Sequence, residues 1–135
     1  MLHFPTLRMS HFLKHFSIEG ARELLPKLRL LFQQLHGARD QLQEDDFNLA
    51  QQLIETGGDL GGAQVISLGR ALGDLHSTLG EIQKLGVQIK EIDRGLLDFP
   101  HLRDGKEVFL CWELSERNIE YWHELDTGYV GREKI

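Results

Sequence analysis

The spacing of the apolar residues changes once along this chain of 135 residues, at Gly86. Before Gly86 the apolar residues recur every three or four positions, which is the period of an amphipathic helix. After Gly86 the period falls to about two, and β-branched and aromatic side chains become frequent, as is typical of strands. We therefore predict an α+β protein in which a helical part precedes a small antiparallel sheet.

The first helix is predicted over about residues 18–56, from the N-cap candidate Ser17 to the glycine-rich segment TGGDLGG at residues 56–62. Its apolar positions are Ile18, Ala21, Leu25, Leu28, Phe32, Leu35, Leu42, Leu49 and Leu53. Pro26 lies inside this pattern, where it removes a backbone donor and crowds the preceding turn. The helix should therefore be kinked near residues 20–25 without a change of its apolar face.

The second helix is predicted over about residues 60–85, after the glycine-rich reversal. Its apolar residues alternate in steps of three and four without a break. They are Val65, Leu68, Leu72, Leu75, Leu79 and Ile82. This spacing predicts that the two helices pack on each other along that stripe, as a long antiparallel hairpin. The polar residues Arg39 and Asp46 interrupt the apolar stripe of the first helix, as in coiled coils that specify their register.

Four strands are predicted after the hairpin, at residues 87–93, 95–99, 107–114 and 119–125. The pair Asp104-Gly105 suits a tight hairpin turn, which places residue 98 opposite residue 111. If the residues SERN at 115–118 close the next hairpin symmetrically, residue 111 lies opposite residue 122. The sheet is therefore expected to be an antiparallel meander with one face on the helices.

This pairing sorts the side chains of the last strands onto two faces. One face, with Leu110, Trp112 and His123 among its residues, is expected to lie on the helices. The other carries Asp98 and Cys111 and is expected to meet solvent or a partner. Because Cys111 and His123 then point to opposite sides, and because the chain has no CxxC, HExxH or HxxxH motif, we predict no metal and no cofactor.

The chemistry of the last two strands has alternative interpretations. Cys111 is the only cysteine and cannot form an intramolecular disulfide. We interpret it as a small hydrophobic residue, because the pairing leaves it without a catalytic base. His123 is either a neutral histidine of the core, with a lowered pKa, or part of a pocket at one end of the sheet that binds an anionic ligand. The residues of that pocket are Asp98, Arg103, His123 and Arg132.

The charge of the chain is unevenly distributed. Residues 1–39 carry six lysines or arginines against two glutamates, a net charge of +4, whereas residues 40–135 carry nine against nineteen acidic residues, a net charge of −10. An acidic domain repels nucleic acid, so we predict no nucleic-acid partner. The longest apolar runs, such as residues 28–32, are too short to span a bilayer, and the N-terminus has no secretory signal. We expect a cytoplasmic protein that does not associate with membranes.

Residues 1–16 are expected to form an arm outside a single α+β domain of residues 17–135. The arm is basic and rich in histidine, and it is expected to be either disordered or partly mis-annotated. If the chain binds a metal, this arm is the expected place. Met9 offers an alternative start, which would leave residues 1–8 outside the native chain.

Three stretches of the chain resemble one protein family. They are SIEGARELLPKL from Ser17, GLLDFPHLRDGKEVFLCWEL from Gly95 and IEYWHELDTGYVGR from Ile119. In this order and spacing they resemble the uncharacterised prokaryotic family catalogued as domain of unknown function 2203, over nearly everything after Lys14. The resemblance implies a small bacterial or archaeal protein with a helical pair and a compact C-terminal unit. It implies no activity and no catalytic residues.

Two classes of function are compatible with the sequence. The leading one is a non-enzymatic interaction or scaffolding module, which forms a homodimer or docks a protein partner through the helical hairpin. The alternative is a binder of a small anionic ligand, or an enzyme, with its site at the predicted pocket of the sheet. Convergence of the four pocket side chains distinguishes the two classes, because an interaction module does not need such a pocket.

Overall fold

The computed structural model describes residues 11–56 and 62–135, and its order of elements confirms the predicted α+β class. The first ten residues of the predicted arm and residues 57–61 of the predicted reversal lie outside the described residues. The helices are α1 (Ile18–Glu23), α2 (Leu25–Thr56) and α3 (Ala63–Lys84). The strands are β1 (Gln88–Glu91), β2 (Leu96–Arg103), β3 (Lys106–Trp112), β4 (Tyr121–His123) and β5 (Glu133–Lys134).

The long first helix is interrupted at Leu24, which is the C-cap of α1 and directly precedes α2. The Ser17 hydroxyl caps α1 by accepting a hydrogen bond from the Gly20 amide at 2.9 Å. Pro26 becomes the second residue of α2, where its missing N–H had no helical acceptor to lose. The predicted kink is therefore confirmed, and proline starts a new helix instead of distorting an old one.

Residues 11–16 of the predicted arm contact the domain. Phe16 is buried in the core, and its amide donates a hydrogen bond to the Pro100 carbonyl at 2.7 Å. The His15 ring lies 3.0 Å from a carboxylate oxygen of Glu107 on β3. This part of the arm thus belongs to the folded domain, because the aromatic ring of Phe16 fills space beside Phe99.

α2 and α3 pack against each other as a hairpin, and the predicted stripe of α3 is covered only toward its C-terminal end. Among the described side chains of α3, the buried ones are Ala71, Thr78 and Ile82. Val65 and Leu72 of the predicted stripe are 41% and 49% exposed. Ile82 belongs to the predicted stripe but Ala71 and Thr78 do not, so the buried face of α3 coincides with the prediction only in part.

A buried polar contact joins the two helices. The carboxylate of Asp45 on α2 accepts a hydrogen bond from the Ser67 hydroxyl of α3 at 2.7 Å. It accepts a second one from the Gln41 side chain at 2.9 Å. Since Asp45 is buried, these bonds offset the cost of removing its carboxylate from water.

The sheet is an antiparallel meander in the order β1-β2-β3-β4-β5, with one short strand more than predicted. β2 and β3 pair with Asp98 opposite Cys111, which confirms the predicted register. The turn between them is formed by Asp104 and Gly105 at φ values of 51° and 77°, as a two-residue hairpin of type I′ requires. β5 was missed because two exposed charged residues carry no strand pattern.

The predicted register between β3 and β4 is wrong by one residue. Cys111 lies opposite Tyr121, where residue 122 was expected. Residues 113–120 do not form a symmetric turn, because side chains outside the hairpin shape this loop. Arg29 of α2 donates hydrogen bonds to the carbonyls of Leu114, Glu116 and Arg117. A shift of one residue moves every side chain of β4 to the other face of the sheet.

The core lies between the sheet and the nearer halves of the helices. Its largest fully buried side chains include Trp112, Phe32, Phe99, Leu28, Leu35, Ile82, Leu97, Leu110 and Ile119. Further out, Phe47, Ile54 and Ile66 of the hairpin are exposed. None of the helices in the described residues has both the length and the apolar character to cross a membrane.

Candidate functional site

Three adjacent strands place one polar side chain each on the face of the sheet that points away from the helices. Asp98 of β2 lies directly opposite Cys111 of β3. His123 of β4 pairs with Phe109, two residues from Cys111, so its side chain is a diagonal neighbour of the thiol. The carboxylate, the thiol sulfur and the imidazole nitrogen all lie within 4.8 Å of one another. We call these three residues the cluster.

The cluster is buried, whereas this face was expected to meet solvent or a partner. Asp98, Cys111 and His123 are 3%, 1% and 2% exposed. They form one side of a cavity of about 290 Å³, and the segment after β4 forms another. The remaining lining residues are Lys90, Leu96, Phe109, Leu125, Asp126, Gly128 and Tyr129. The chain after β4 thus folds back over the sheet and encloses the cluster.

Both ring nitrogens of His123 face hydrogen-bond acceptors. Nδ1 lies 2.6 Å from the backbone carbonyl oxygen of Glu124, and a carbonyl can only accept, so Nδ1 donates. Nε2 lies 2.9 Å from Oδ1 of Asp98. Since a carboxylate and a bare ring nitrogen cannot bond to each other, a proton lies between them. The pair is either an imidazolium with a carboxylate or a neutral imidazole with a carboxylic acid.

The pKa of His123 is raised above the ordinary value of a histidine. Burial acts to lower this pKa because it disfavours the charged ring, but the hydrogen bonds to Asp98 and Glu124 outweigh burial. This direction is opposite to that expected for a neutral histidine of the core. The wrong register is the reason, because it had put Asp98 and His123 on opposite faces.

The Cys111 thiol is protonated in this environment. Burial raises its pKa to about 12, and the nearby Asp98 carboxylate acts in the same direction. A cysteine nucleophile needs the opposite, a thiolate that is stable near neutral pH. The structure overturns the stated reason for interpreting Cys111 as a small hydrophobic residue, since His123 lies within 4.8 Å of the thiol. The raised pKa of the thiol still disfavours a thiolate nucleophile.

Arg103 does not reach the cluster. It lies five positions along β2 from Asp98, and an odd number of positions puts its side chain on the opposite face. Its guanidinium lies 4.4 Å from the centre of the Trp122 ring. There it borders a separate hollow of about 270 Å³ that also contains Lys106 and Glu124.

Arg132 borders the cluster without joining it. It forms an ion pair with Glu116 and lies over the rings of Tyr121 and Tyr129, at 4.0 Å and 4.6 Å. Its positive charge acts on the Cys111 thiol, whose pKa it lowers against the effect of burial. Its Nε is buried without a hydrogen-bond partner among the described residues.

Of the four residues predicted to form a pocket, only Asp98 and His123 meet. Sequence reasoning missed Cys111 as their third neighbour, although the signal was present in the residue types, since one small meander holds an aspartate, a cysteine and a histidine. The assumed turn at residues 115–118 hid it, because the resulting register separated the cysteine from the histidine.

Comparison with known proteins gives a family. No curated protein and no solved structure matches the chain. One family model, described as Uncharacterized conserved protein (DUF2203), matches residues 14–135. This span includes the hairpin, the whole sheet and the three residues of the cluster. The chain therefore belongs to the DUF2203 family of uncharacterised conserved proteins.

Proposed function

We propose that the protein is a non-enzymatic interaction module, which pairs with a second copy of itself through the outer half of its helical hairpin. The observation that supports this proposal is the apolar stripe of α3, which is covered at one end and exposed at the other. Leu75 and Leu79, near the sheet, pack against the core. Val65 and Leu72, farther from the sheet, are exposed.

The chemistry of the stripe favours a helix as its partner. Its steps of three and four are those of helices that pair side by side. Phe47 and Ile54 on α2 add two exposed apolar positions that are seven residues apart, the length of one heptad. Apolar side chains at these intervals lose the most contact with water when a second helix with a similar stripe covers them, so a helix is the most favourable partner.

A second copy of this chain fits the stripe because the spacing is self-complementary. In an antiparallel arrangement about a two-fold axis between positions 68 and 69, Val65 lies opposite Leu72 of the second copy, and both side chains are exposed. Leu68 then lies next to Leu68 of the second copy. Closed two-fold dimers of this kind are the commonest soluble assemblies.

Light scattering tests the dimer. We expect the wild-type chain at roughly ten micromolar to have twice the monomer mass of 15.5 kDa. Leu72→Glu should reduce the mass to that of the monomer, because it places a charge in the interface. The matched control is Leu102→Glu on β2, since Leu102 is 46% exposed and lies on the same face as Asp98, away from the helices. A wild-type monomer, or equal masses for both variants, would overturn the proposal.

The second candidate function is the binding of a small anionic ligand, or catalysis on that ligand, in the cavity next to the cluster. It is favoured by one observation, the proton held between Asp98 and His123 at the wall of this cavity. Lys90 lines the same cavity and supplies a positive charge for an anion.

Nuclear magnetic resonance with inorganic phosphate and acetate tests the second candidate on metal-free protein. Saturable shifts of the signals of Tyr129 and His123, at roughly millimolar anion, are expected. Lys90→Met should weaken binding at least tenfold, whereas Lys84→Met on the exposed end of α3 should not. Shifts that are absent, or that are equal in both variants, would count against an anion site.

A further inference from the structure

We propose that Asp98, Cys111 and His123 bind a divalent transition metal ion of the zinc class. The proposal deepens the second candidate function, since it concerns the same cavity, and it is independent of the dimer. Within residues 11–56 and 62–135, these three are the one group of histidine, cysteine or acidic side chains whose ligand atoms are close enough to hold a metal.

The donor atoms select the class of metal. An imidazole nitrogen, a thiolate sulfur and a carboxylate oxygen are the three kinds of ligand that Zn²⁺ takes from proteins. The thiolate and the imidazole disfavour Mg²⁺ and Ca²⁺, which prefer oxygen ligands. Co²⁺ accepts the same donors and geometry, so it is a suitable spectroscopic probe.

The spacing of the donors fits a tetrahedral ion. With bonds of about 2.0 to 2.3 Å, ligand atoms at tetrahedral angles are about 3.3 to 3.8 Å apart. The three donors of the cluster lie within 4.8 Å of one another, and Nε2 of His123 is 2.9 Å from Oδ1 of Asp98. Small rotations of side chains on three rigid, adjacent strands are therefore enough to surround an ion.

The hydrogen bond that His123 makes through Nδ1 is of the kind that metal-binding histidines make. Nδ1–H donates to the Glu124 carbonyl, which fixes the orientation of the ring. Nε2 therefore directs its lone pair at Asp98 and Cys111 once its proton leaves. Metal-binding histidines commonly donate their second N–H to a carbonyl or a carboxylate, because this fixes the tautomer and raises the basicity of the ligand nitrogen.

The charges of the site balance when a dication replaces two protons. Without metal, the proton shared by Asp98 and His123 makes that pair neutral, and the Cys111 thiol is also neutral. Binding of M²⁺ releases the shared proton and the thiol proton, and leaves M²⁺, one carboxylate, one thiolate and a neutral imidazole. The site is neutral in both states, as its burial demands.

Three protein ligands leave the fourth position of a tetrahedral ion for water or for a ligand atom. All three residues line the cavity of about 290 Å³, so a fourth ligand would come from a space that is large enough for a small molecule. Zinc sites with three protein ligands and one open position are typical of sites that bind or activate a substrate.

The test is a titration of untagged, chelator-treated protein with Co²⁺, followed by absorption. We expect one ion per chain, with visible bands of tetrahedral Co²⁺ and a thiolate-to-cobalt charge-transfer band. Since Cys111 is the only cysteine, that band in the wild-type protein identifies its ligand without any variant. Zn²⁺ should displace Co²⁺ and remove the bands, whereas an excess of Mg²⁺ or Ca²⁺ should not.

Three variants and a control test the ligand set. Cys111→Ser should abolish the charge-transfer band, and Asp98→Asn and His123→Gln should each weaken Co²⁺ binding at least tenfold. His76→Gln, on an exposed residue of α3, should leave binding unchanged. Far-ultraviolet circular dichroism of the metal-free variants checks that each is folded.

A wild-type protein that binds Co²⁺ without the charge-transfer band, or with several weak ions per chain, would overturn the metal site. The same holds for a folded Asp98→Asn or His123→Gln variant with unchanged affinity. These outcomes are distinguishable from failure of the anion site, because the anion site is tested separately, by phosphate binding to metal-free protein. They are also distinguishable from failure of the dimer, because the dimer is tested by the molecular mass in light scattering.

Discussion

The two ends of the helical hairpin both carry apolar side chains, but those side chains have opposite surroundings. Near the sheet, Leu28, Phe32 and Leu35 are fully buried. At the outer end Phe47 and Ile54 are 64% and 82% exposed. Apolar side chains of the helices therefore form a core where the sheet covers them and remain exposed where no sheet reaches them. The near end should determine the stability of the chain, and the outer end its association.

The largest expected difference between the two ends is in the loss of stability when an aromatic side chain is replaced by alanine. Trp112 is fully buried under the helices, so Trp112→Ala should lower the free energy of unfolding by about 3 to 5 kcal/mol. Phe47→Ala at the outer end should change the free energy of unfolding of the monomer by less than about 0.5 kcal/mol. Urea unfolding, measured in the Leu72→Glu background to keep the chain monomeric, compares them. Equal losses would mean that the outer end is part of the core.

A glycine near the sheet should not tolerate a methyl group. Gly95 has a φ of 62°, and an added Cβ would lie 2.3 Å from Cγ of Leu114. Gly95→Ala should therefore cost about 1 to 3 kcal/mol, from backbone strain and from displacement of Leu114. The midpoint of thermal unfolding provides the measurement, and an unchanged midpoint would show that this loop adapts freely.

The stability of the part of the molecule near the sheet should also depend on pH, because of His123. Because the folded protein raises the pKa of His123, its stabilisation is complete below the unfolded pKa of about 6.5 and is lost as pH rises through the folded value. The free energy of unfolding of metal-free protein should thus fall above about pH 6.5, by about 1.4 kcal/mol for each unit by which the pKa is raised. Denaturant titrations from about pH 6 to about pH 8 measure it, because this range lies below the ordinary cysteine pKa of about 8.5, above which Cys111 also contributes.

Asp98→Asn serves as the control for this pH dependence. It removes the carboxylate that holds the proton of Nε2, so the fall in stability above about pH 6.5 should shrink or vanish. Stability that instead increases with pH through this range in the wild-type protein would show that His123 is a neutral core histidine after all.

The smallest expected effect is a gain in stability, in the hairpin. Gly37 lies on the exposed side of α2, and an added Cβ would meet no atom within 4 Å. Gly37→Ala should stabilise the chain by about 0.5 to 1 kcal/mol, because alanine favours the helix. The same substitution thus has opposite signs at Gly95 and Gly37. Thermal unfolding of the two variants side by side checks this, and a loss of stability at Gly37 would contradict it.

Local patterns were sufficient for the parts of the fold that neighbouring residues decide. The kink before Pro26 follows from the geometry of proline, and the pairing of Asp98 with Cys111 follows from the turn at Asp104 and Gly105. In both cases the residues that decide the structure are within a few positions of the feature. These features were accordingly predicted correctly.

Two features depend on contacts that are remote in sequence, and the first was predicted only in part and the second incorrectly. The stripe of α3 that meets α2 is set by the small side chains of Ser67 and Ala71 and by the bond to Asp45. The pairing of β3 with β4 is set by a loop whose carbonyls bind Arg29, which is 85 to 88 positions away in the chain. Neither contact can be read from hydrophobic spacing.

The sequence by itself determined the α+β class, the kinked first helix, the hairpin between β2 and β3, and the stretches that identify the family. Only the tertiary structure decided which face of the sheet His123 occupies. The physical reason is the period of two along a strand, because a register change of a single residue reverses every side chain. That one residue of register separates a neutral core histidine from a buried cluster of Asp98, Cys111 and His123.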